Sequence, residues 1–225
     1  MPTVDFVRHG ETTEPGRLNG RSDPPLSADG WSQVRGQLRR GAGGTGHPWS
    51  RVVSSPRQRA RAAAAEFATA QNVPLIEDTR FAEMDYGEWD GCRFADLRAD
   101  AEVYAAFRGF AVAPEKYPPP GGETWEAFTD RICDGLDALA ALADNDADDA
   151  TSGGSVVICH AGVIRTALHL ACGLPVDALW RLRVGYAARV TLSYGRGDDG
   201  ALWGEIIEVV QAPATPGTAE ARKSP

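Results

Sequence analysis

Cysteine is scarce in this chain of 225 residues, and the four present stand far apart. Cys92, Cys133, Cys159 and Cys172 form no Cys-x-x-Cys pair, and their uneven spacing does not suggest a zinc site. They are expected as free thiols in a reducing cytoplasm. Long apolar runs are missing too: no stretch approaches membrane-spanning length, so no membrane association is expected. The N-terminus shows no basic region followed by an apolar one, and no secretory signal is read there. Positive charge is in deficit. The formal charge is −8, which argues against nucleic acid as the main partner, because phosphate-backbone binding rests on excess Lys and Arg. A small phosphorylated ligand is still compatible, since it needs only a local cluster of positive groups.

What is present is enough for a sizeable core: 43% of the residues are hydrophobic. Strand and helix patterns alternate. Residues 3–7 read as a strand and 27–40 as a helix capped by Ser27, with Trp31, Val34 and Leu38 at helical spacing. A loop is expected at 41–46, a strand at 51–54, an alanine-rich helix at 57–70 and an extended piece at 74–76. Residues 92–122 read as an irregular insertion with two short helices, ending in the Pro118-Pro119-Pro120-Gly121-Gly122 turn. An amphipathic helix follows at 124–142, with Trp125, Phe128, Ile132, Leu136 and Leu139 on one face. A loop at 144–154, a strand at 155–159 and a helix at 163–171 come next. A hairpin of 188–194 and 202–209, turning at 195–200, closes the domain.

The pattern predicts a three-layer α/β sandwich: a mostly parallel central sheet flanked by helices, with the last strands antiparallel at an edge. One domain is expected over 1–211, followed by a disordered tail at 212–225. Ligands of such sheets bind beyond the carboxyl ends of the strands.

Two strands end in histidine. Val4-Asp5-Phe6-Val7 runs into Arg8-His9-Gly10, and Val156-Val157-Ile158-Cys159 runs into His160-Ala161-Gly162. An arginine and an imidazole at a strand end can hold an anion and attack it. Taken alone, Arg8-His9-Gly10 reads as a turn with a surface arginine and a satisfied histidine, and His160 alone equally suits a core or capping histidine. A third strand leads into Ser54-Ser55-Pro56-Arg57-Gln58-Arg59-Ala60, which puts arginines at a helix start, a favourable place for an anion. Glu83, Asp85 and Glu88 lie in a glycine- and aromatic-rich loop, and each is an acid/base candidate. Cys159 adjoins His160, but strand neighbours point to opposite faces, so its thiol is expected to turn away. His47 reads as an exposed loop residue and His169 as a packing residue. Trp125 and Trp180 read as core residues, while Lys116 and Tyr117 are candidates for lining the pocket.

In this order the pieces resemble the histidine phosphatase superfamily, also called phosphoglycerate mutase-like. The resemblance covers most of residues 3–194. It extends to Gly20-Arg21-Ser22-Asp23-Pro24-Pro25-Leu26-Ser27 and to Pro120-Gly121-Gly122-Glu123-Thr124 with Phe128 and Arg131. The last segment resembles the phosphatase branch, with its broad-specificity and α-ribazole phosphatases. The resemblance implies that His9 is a nucleophile forming phosphohistidine, and that Arg8, Arg59 and His160 hold the phosphoryl group. It implies that Glu83 is the acid and base. Family position favours Arg59 over Arg57 and Arg61, whose helical directions differ, and Glu83 over Asp85 and Glu88. Thr12, Asn19, Gly20, Arg21 and Ala161 are the further substrate contacts. Many members carry an asparagine where this chain has Pro15, and Asn19 is the candidate substitute.

The implied activity is a phosphomonoesterase acting on a small phosphorylated metabolite, with no metal and no cofactor. A phosphoglycerate mutase is the alternative, although Arg93, Arg98, Arg108 and Lys116 do not form the recognisable mutase insertion. A non-catalytic phosphate-ligand module is the second alternative. The oligomeric state is left open, a homodimer included.

Overall fold

A computed structural model describes residues 3–44, 49–145 and 153–213. Six strands form one sheet: β1 (Thr3–Arg8), β2 (Trp49–Ser54), β3 (Leu75–Glu77), β4 (Gly154–Cys159), β5 (Arg189–Arg196) and β6 (Leu202–Val210). Their order is β3-β2-β4-β1-β5-β6. The first four are mutually parallel, and β5 and β6 pair antiparallel at one edge. This is the expected α/β sandwich with a mostly parallel sheet.

The central strands are rich in buried apolar residues because both faces are covered. Val4, Phe6, Val7, Val52, Val53 and Val156 are all buried. On one face lie α1 (Ala28–Gly44) and α2 (Gln58–Gln71), whose Val34, Leu38, Ala60, Ala64 and Phe67 pack with Val7, Val52 and Ile158. On the other lie α5 (Trp125–Asn145) and α6 (Ala161–Cys172), joined by α3 (Phe94–Ala99) and α4 (Ala101–Val112). There Phe128, Ile132, Leu136 and Ile164 meet Phe6, Val53 and Val157.

Charged residues also lie inside the sheet, and Asp5 is the carboxylate among them. Asp5, on β1, is buried and accepts from Trp49 Nε1 at 2.6 Å, from Arg189 Nη1 at 2.9 Å and from the Thr191 hydroxyl. Three donors replace the water that a buried carboxylate loses.

Several boundaries differ from the sequence reading. The loop expected at 41–46 is helical as far as Gly44, and 45–46 lie outside the described residues. Gly41 is buried so close to Trp49 that a Cβ would stand 2.2 Å from its ring. Helix–strand packing there overrides glycine's poor helix propensity. α5 runs on to Asn145, and α6 starts at Ala161, directly after His160. Gly195 and Arg196 remain in β5, so the hairpin turn is shorter than expected. A 3-10 turn at Val176–Arg181 had no sequence signal. His47, most of the loop at 144–154 and the tail beyond 213 lie outside the described residues.

Candidate active site

Strand register brings the separate motifs together. β1 and β4 are parallel neighbours with Arg8 opposite Cys159, so His9 and His160 leave the sheet side by side. The His9 N–H donates to the Cys159 carbonyl at 2.9 Å. β2 lies on the other side of β4, and the Ser55 N–H donates to the Ile158 carbonyl at 3.0 Å. Three adjacent strands thus deliver His9, His160 and Ser55 to one edge. The imidazole centroids stand 5.2 Å apart at 61°.

Each ring is oriented. His9 Nδ1 lies 2.7 Å from the Gly10 carbonyl. A carbonyl only accepts, so Nδ1 carries the proton and Nε2 keeps its lone pair. His160 Nε2 lies 2.7 Å from Ser55 Oγ, which also accepts the Arg57 N–H at 3.2 Å. The pKa of His9 is driven well below its ordinary value by burial, then by the charges of Arg8 and Arg59, with the Gly10 bond working the other way. His160 is shifted the same way by burial, then by Arg59, His9, Arg8 and Arg57. Both rings are therefore neutral at neutral pH.

Arg59 is 1% exposed, on the first turn of α2. Its guanidinium donates to the carbonyls of Ser22, Asn19 and Gly20 and to Asp23. It thereby fixes the loop that bears Asn19, Gly20 and Arg21. Asp90 grips the same loop by accepting from Gly20 N–H at 2.6 Å and from Ser22 N–H at 2.8 Å. Arg21 itself is exposed and pairs with Asp85 at 3.1 Å. Thr12 is buried at 1%, Pro15 is exposed and Ala161 is half-buried at the start of α6.

Arg61 points away, as expected, and pairs with Glu77 at 2.5 Å in solvent. Arg57 departs from the expectation that its direction differs. It caps α2 with extended backbone, φ −65° and ψ 132°, so helical angles do not govern it, and its charge acts on both Arg59 and His160.

Glu83 is buried in the 3-10-rich loop before α3. Its carboxylate accepts the Met84 N–H and the Gly162 N–H, each at 3.2 Å, the latter in the first turn of α6. A Cβ on Gly162 would stand 2.2 Å from Glu83 Oε1, so only glycine permits this approach. Arg131 fixes the loop from behind, with Nη1 donating to the carbonyls of Arg80 and Ala82 at 2.6 and 2.8 Å and Nε to Glu123 at 2.6 Å. Asp85 accepts from Gly87 N–H, and Glu88 is exposed. Beside Glu83 a cleft is lined by Met84, Tyr86, Phe110, Trp125, Arg165 and Trp180. Burial lowers the Arg165 pKa to about 10.

Arg8 is half-buried, with Nη1 donating to the Val184 carbonyl at 2.8 Å and its guanidinium 4.2 Å from the centre of the Tyr186 ring. Among the described residues, the buried side-chain atoms without a partner include Arg8 Nε, Thr12 Oγ1, Arg57 Nε, Arg59 Nε and His160 Nδ1. Such orphans are rare in a folded interior, and those on Arg8, Arg57, Arg59 and His160 belong to groups that act on one another across the two imidazoles. Among the described residues no group of three or more His, Cys, Asp or Glu could hold a metal ion. No described helix is long and apolar enough to cross a membrane.

The remaining sequence candidates fall elsewhere. Cys159 is buried in the apolar cluster, and burial pushes its thiol pKa up. His169 packs on Trp125 and bonds the Leu174 carbonyl. Lys116 and Tyr117 are exposed and do not line the cleft; the Tyr117 ring lies against Gly109 of α4 instead. Ser55, Asp90, Arg165 and Tyr186 carried no individual signal. Only the Ser-Ser-Pro turn before a helix could have pointed to Ser55.

Two strand-end histidines, several arginines and one buried carboxylate thus gather at one end of the parallel sheet. Residues 4–203 match the histidine phosphatase superfamily (branch 1), and the chain belongs to that family. It is 31% identical over 190 residues to a bifunctional protein of Mycobacterium tuberculosis, covering 81% of this chain and 48% of that protein. The chain thus spans about half the length of the first curated relatives it matches. It is 30% identical over 184 residues to the adenosylcobalamin/α-ribazole phosphatase of Salmonella typhimurium, covering 80% of this chain and 84% of that one. Mycobacterial glucosyl-3-phosphoglycerate phosphatase shares the fold, with TM-score 0.77 at 24% identity, over 95% of this chain and 100% of that one.

Proposed function

We propose that the protein is a metal-independent phosphomonoesterase that hydrolyses a small phosphorylated metabolite through a phosphohistidine on His9. The observation that carries this reading is the open Nε2 of a neutral His9 beside buried donors that lack partners. Nε2 attacks phosphorus as the ester P–O bond breaks. Arg8, Arg59 and His160 donate to the phosphoryl oxygens, where negative charge is held in the transition state. The Ser55 hydroxyl donates a hydrogen bond to His160 Nε2, which leaves Nδ1–H as the donor. Glu83 passes a proton to the leaving oxygen, then takes one from the water that cleaves the P–N bond. Thr12, the Asn19–Arg21 loop and Ala161 form the rim that meets the substrate.

Likeness to the Salmonella enzyme supports an α-ribazole phosphate-like substrate. Net hydrolysis is favoured over mutase chemistry because Arg93, Arg98, Arg108 and Lys116 are all exposed rather than gathered at the site. Four free thiols accord with a cytoplasmic location. The test is phosphate release from a panel of α-ribazole phosphate, phosphoglycerates, sugar phosphates and nucleotides. Hydrolysis of at least one, lost in His9→Ala, is expected. Transfer between phosphoglycerates without net release would favour the mutase, and binding of all without turnover would favour a non-catalytic module.

A further inference from the structure

The segment from Val184 to Ala188 is tied to the site more tightly than a connecting loop requires. Ala187 is fully buried and holds φ at 51°, a region disfavoured for any residue with a Cβ. Its N–H donates to the His9 carbonyl at 3.1 Å, and the Arg8 N–H donates to the Ala188 carbonyl at 2.9 Å. The Val184 carbonyl accepts from Arg8 Nη1 at 2.8 Å. The strained turn is thus held by the backbone of the two residues that open the first motif. Its effect is to lay Tyr186 over the Arg8 guanidinium, 4.2 Å from ring centre to Cζ, with the His9 ring 5.9 Å away. Val184 and Ala188 belong to one hydrophobic cluster and Ala187 to the other, but Tyr186 belongs to neither, so its ring is not there as core filling.

We propose that Tyr186 is a positioning residue that fixes the Arg8 guanidinium for the phosphoryl group. The inference rests on the phosphoryl-transfer reading of the site. A guanidinium donates its hydrogen bonds in its plane, and an aromatic ring holds it by its face. Stacking therefore restricts rotation of Arg8 without consuming a donor. The Val184 carbonyl takes one in-plane proton and sets the orientation, and buried Nε is left without a protein partner. The phenol hydroxyl has no part in this; the ring does the work.

The test uses the full chain with Tyr186→Phe, Tyr186→Leu and Tyr186→Ala. Turnover of p-nitrophenyl phosphate and the affinity for inorganic phosphate, by phosphorus NMR titration, are the readouts. Phe is expected to stay within about twofold of the parent, while Leu and Ala weaken phosphate binding and kcat/KM by about tenfold. In an Arg8→Gln background, Tyr186→Ala is expected to change phosphate affinity by less than about twofold, because its effect runs through Arg8. Parent-like behaviour of Leu and Ala would overturn the proposal. So would an equal loss in both backgrounds, which would mark a packing role. His9→Ala is the control: if it stays active, the reading of the site fails. If it is inactive while the Tyr186 variants are neutral, only the positioning role fails.

Discussion

The ring of His9 faces the ring of His160 at a centroid distance of 5.2 Å, and burial together with surrounding arginines depresses the pKa of each. A nucleophilic imidazole must be neutral, and here neutrality is built into the site. The acid limb of the kcat/KM profile is therefore expected well below the ordinary imidazole value of 6.5. A limb centred at or above that value would contradict the assignment. His9→Ala should abolish phosphate release, by more than about a thousandfold, with an unchanged circular dichroism spectrum.

The same shifts affect stability. Below pH 6.5 the unfolded chain protonates both histidines while the folded chain keeps them neutral. The unfolded state then binds more protons, so the stability these groups provide is present above that pH and falls as pH drops toward the folded pKa values. Thermal melting at a series of pH values should show the decline. His160→Asn should flatten it, and an identical slope in that variant would refute the cause.

Glu83→Gln should lower kcat by about a hundredfold or more for an alkyl phosphate. The loss should be much smaller for p-nitrophenyl phosphate, whose leaving group needs no proton. Equal losses for both substrates would remove Glu83 from the acid role.

Gly162→Ala should imitate Glu83→Gln, because the added Cβ would meet Glu83 Oε1 at 2.2 Å and push the carboxylate aside. Retained leaving-group dependence of the parent kind would show that Glu83 accommodates it.

Asp5→Ala should destabilise the fold by about 3–5 kcal/mol, because it strands the buried Arg189 guanidinium. Urea denaturation measures this. A change below about 1 kcal/mol would mean that Thr191 and Glu208 satisfy Arg189 unaided.

Much of this was legible along the chain. Apolar runs such as Val156-Val157-Ile158 mark buried parallel strands because both faces of such a sheet are covered. Arg8, His9, Arg59, Glu83 and His160 follow from the resemblance of their motifs, in order, to one family. The helical end of α1 is not legible locally because Trp49 packs on Gly41, a contact between elements that no local propensity records. The direction of Arg57 does not follow from helical spacing, because it caps the helix rather than joining it. Ser55 and Tyr186 stayed hidden because their roles are defined only by partners distant in the chain, His160 and Arg8.

The sequence by itself determined the alternation of strand and helix and the residues with chemistry at the strand ends, because hydrophobic period and turn composition are local properties. The tertiary structure decided that β4 lies between β1 and β2, which sets His9, His160 and Ser55 side by side. It also decided which donors remain unpaired and how far burial lowers the two imidazoles. Those quantities depend on distance and desolvation, and neither exists until the sheet is assembled.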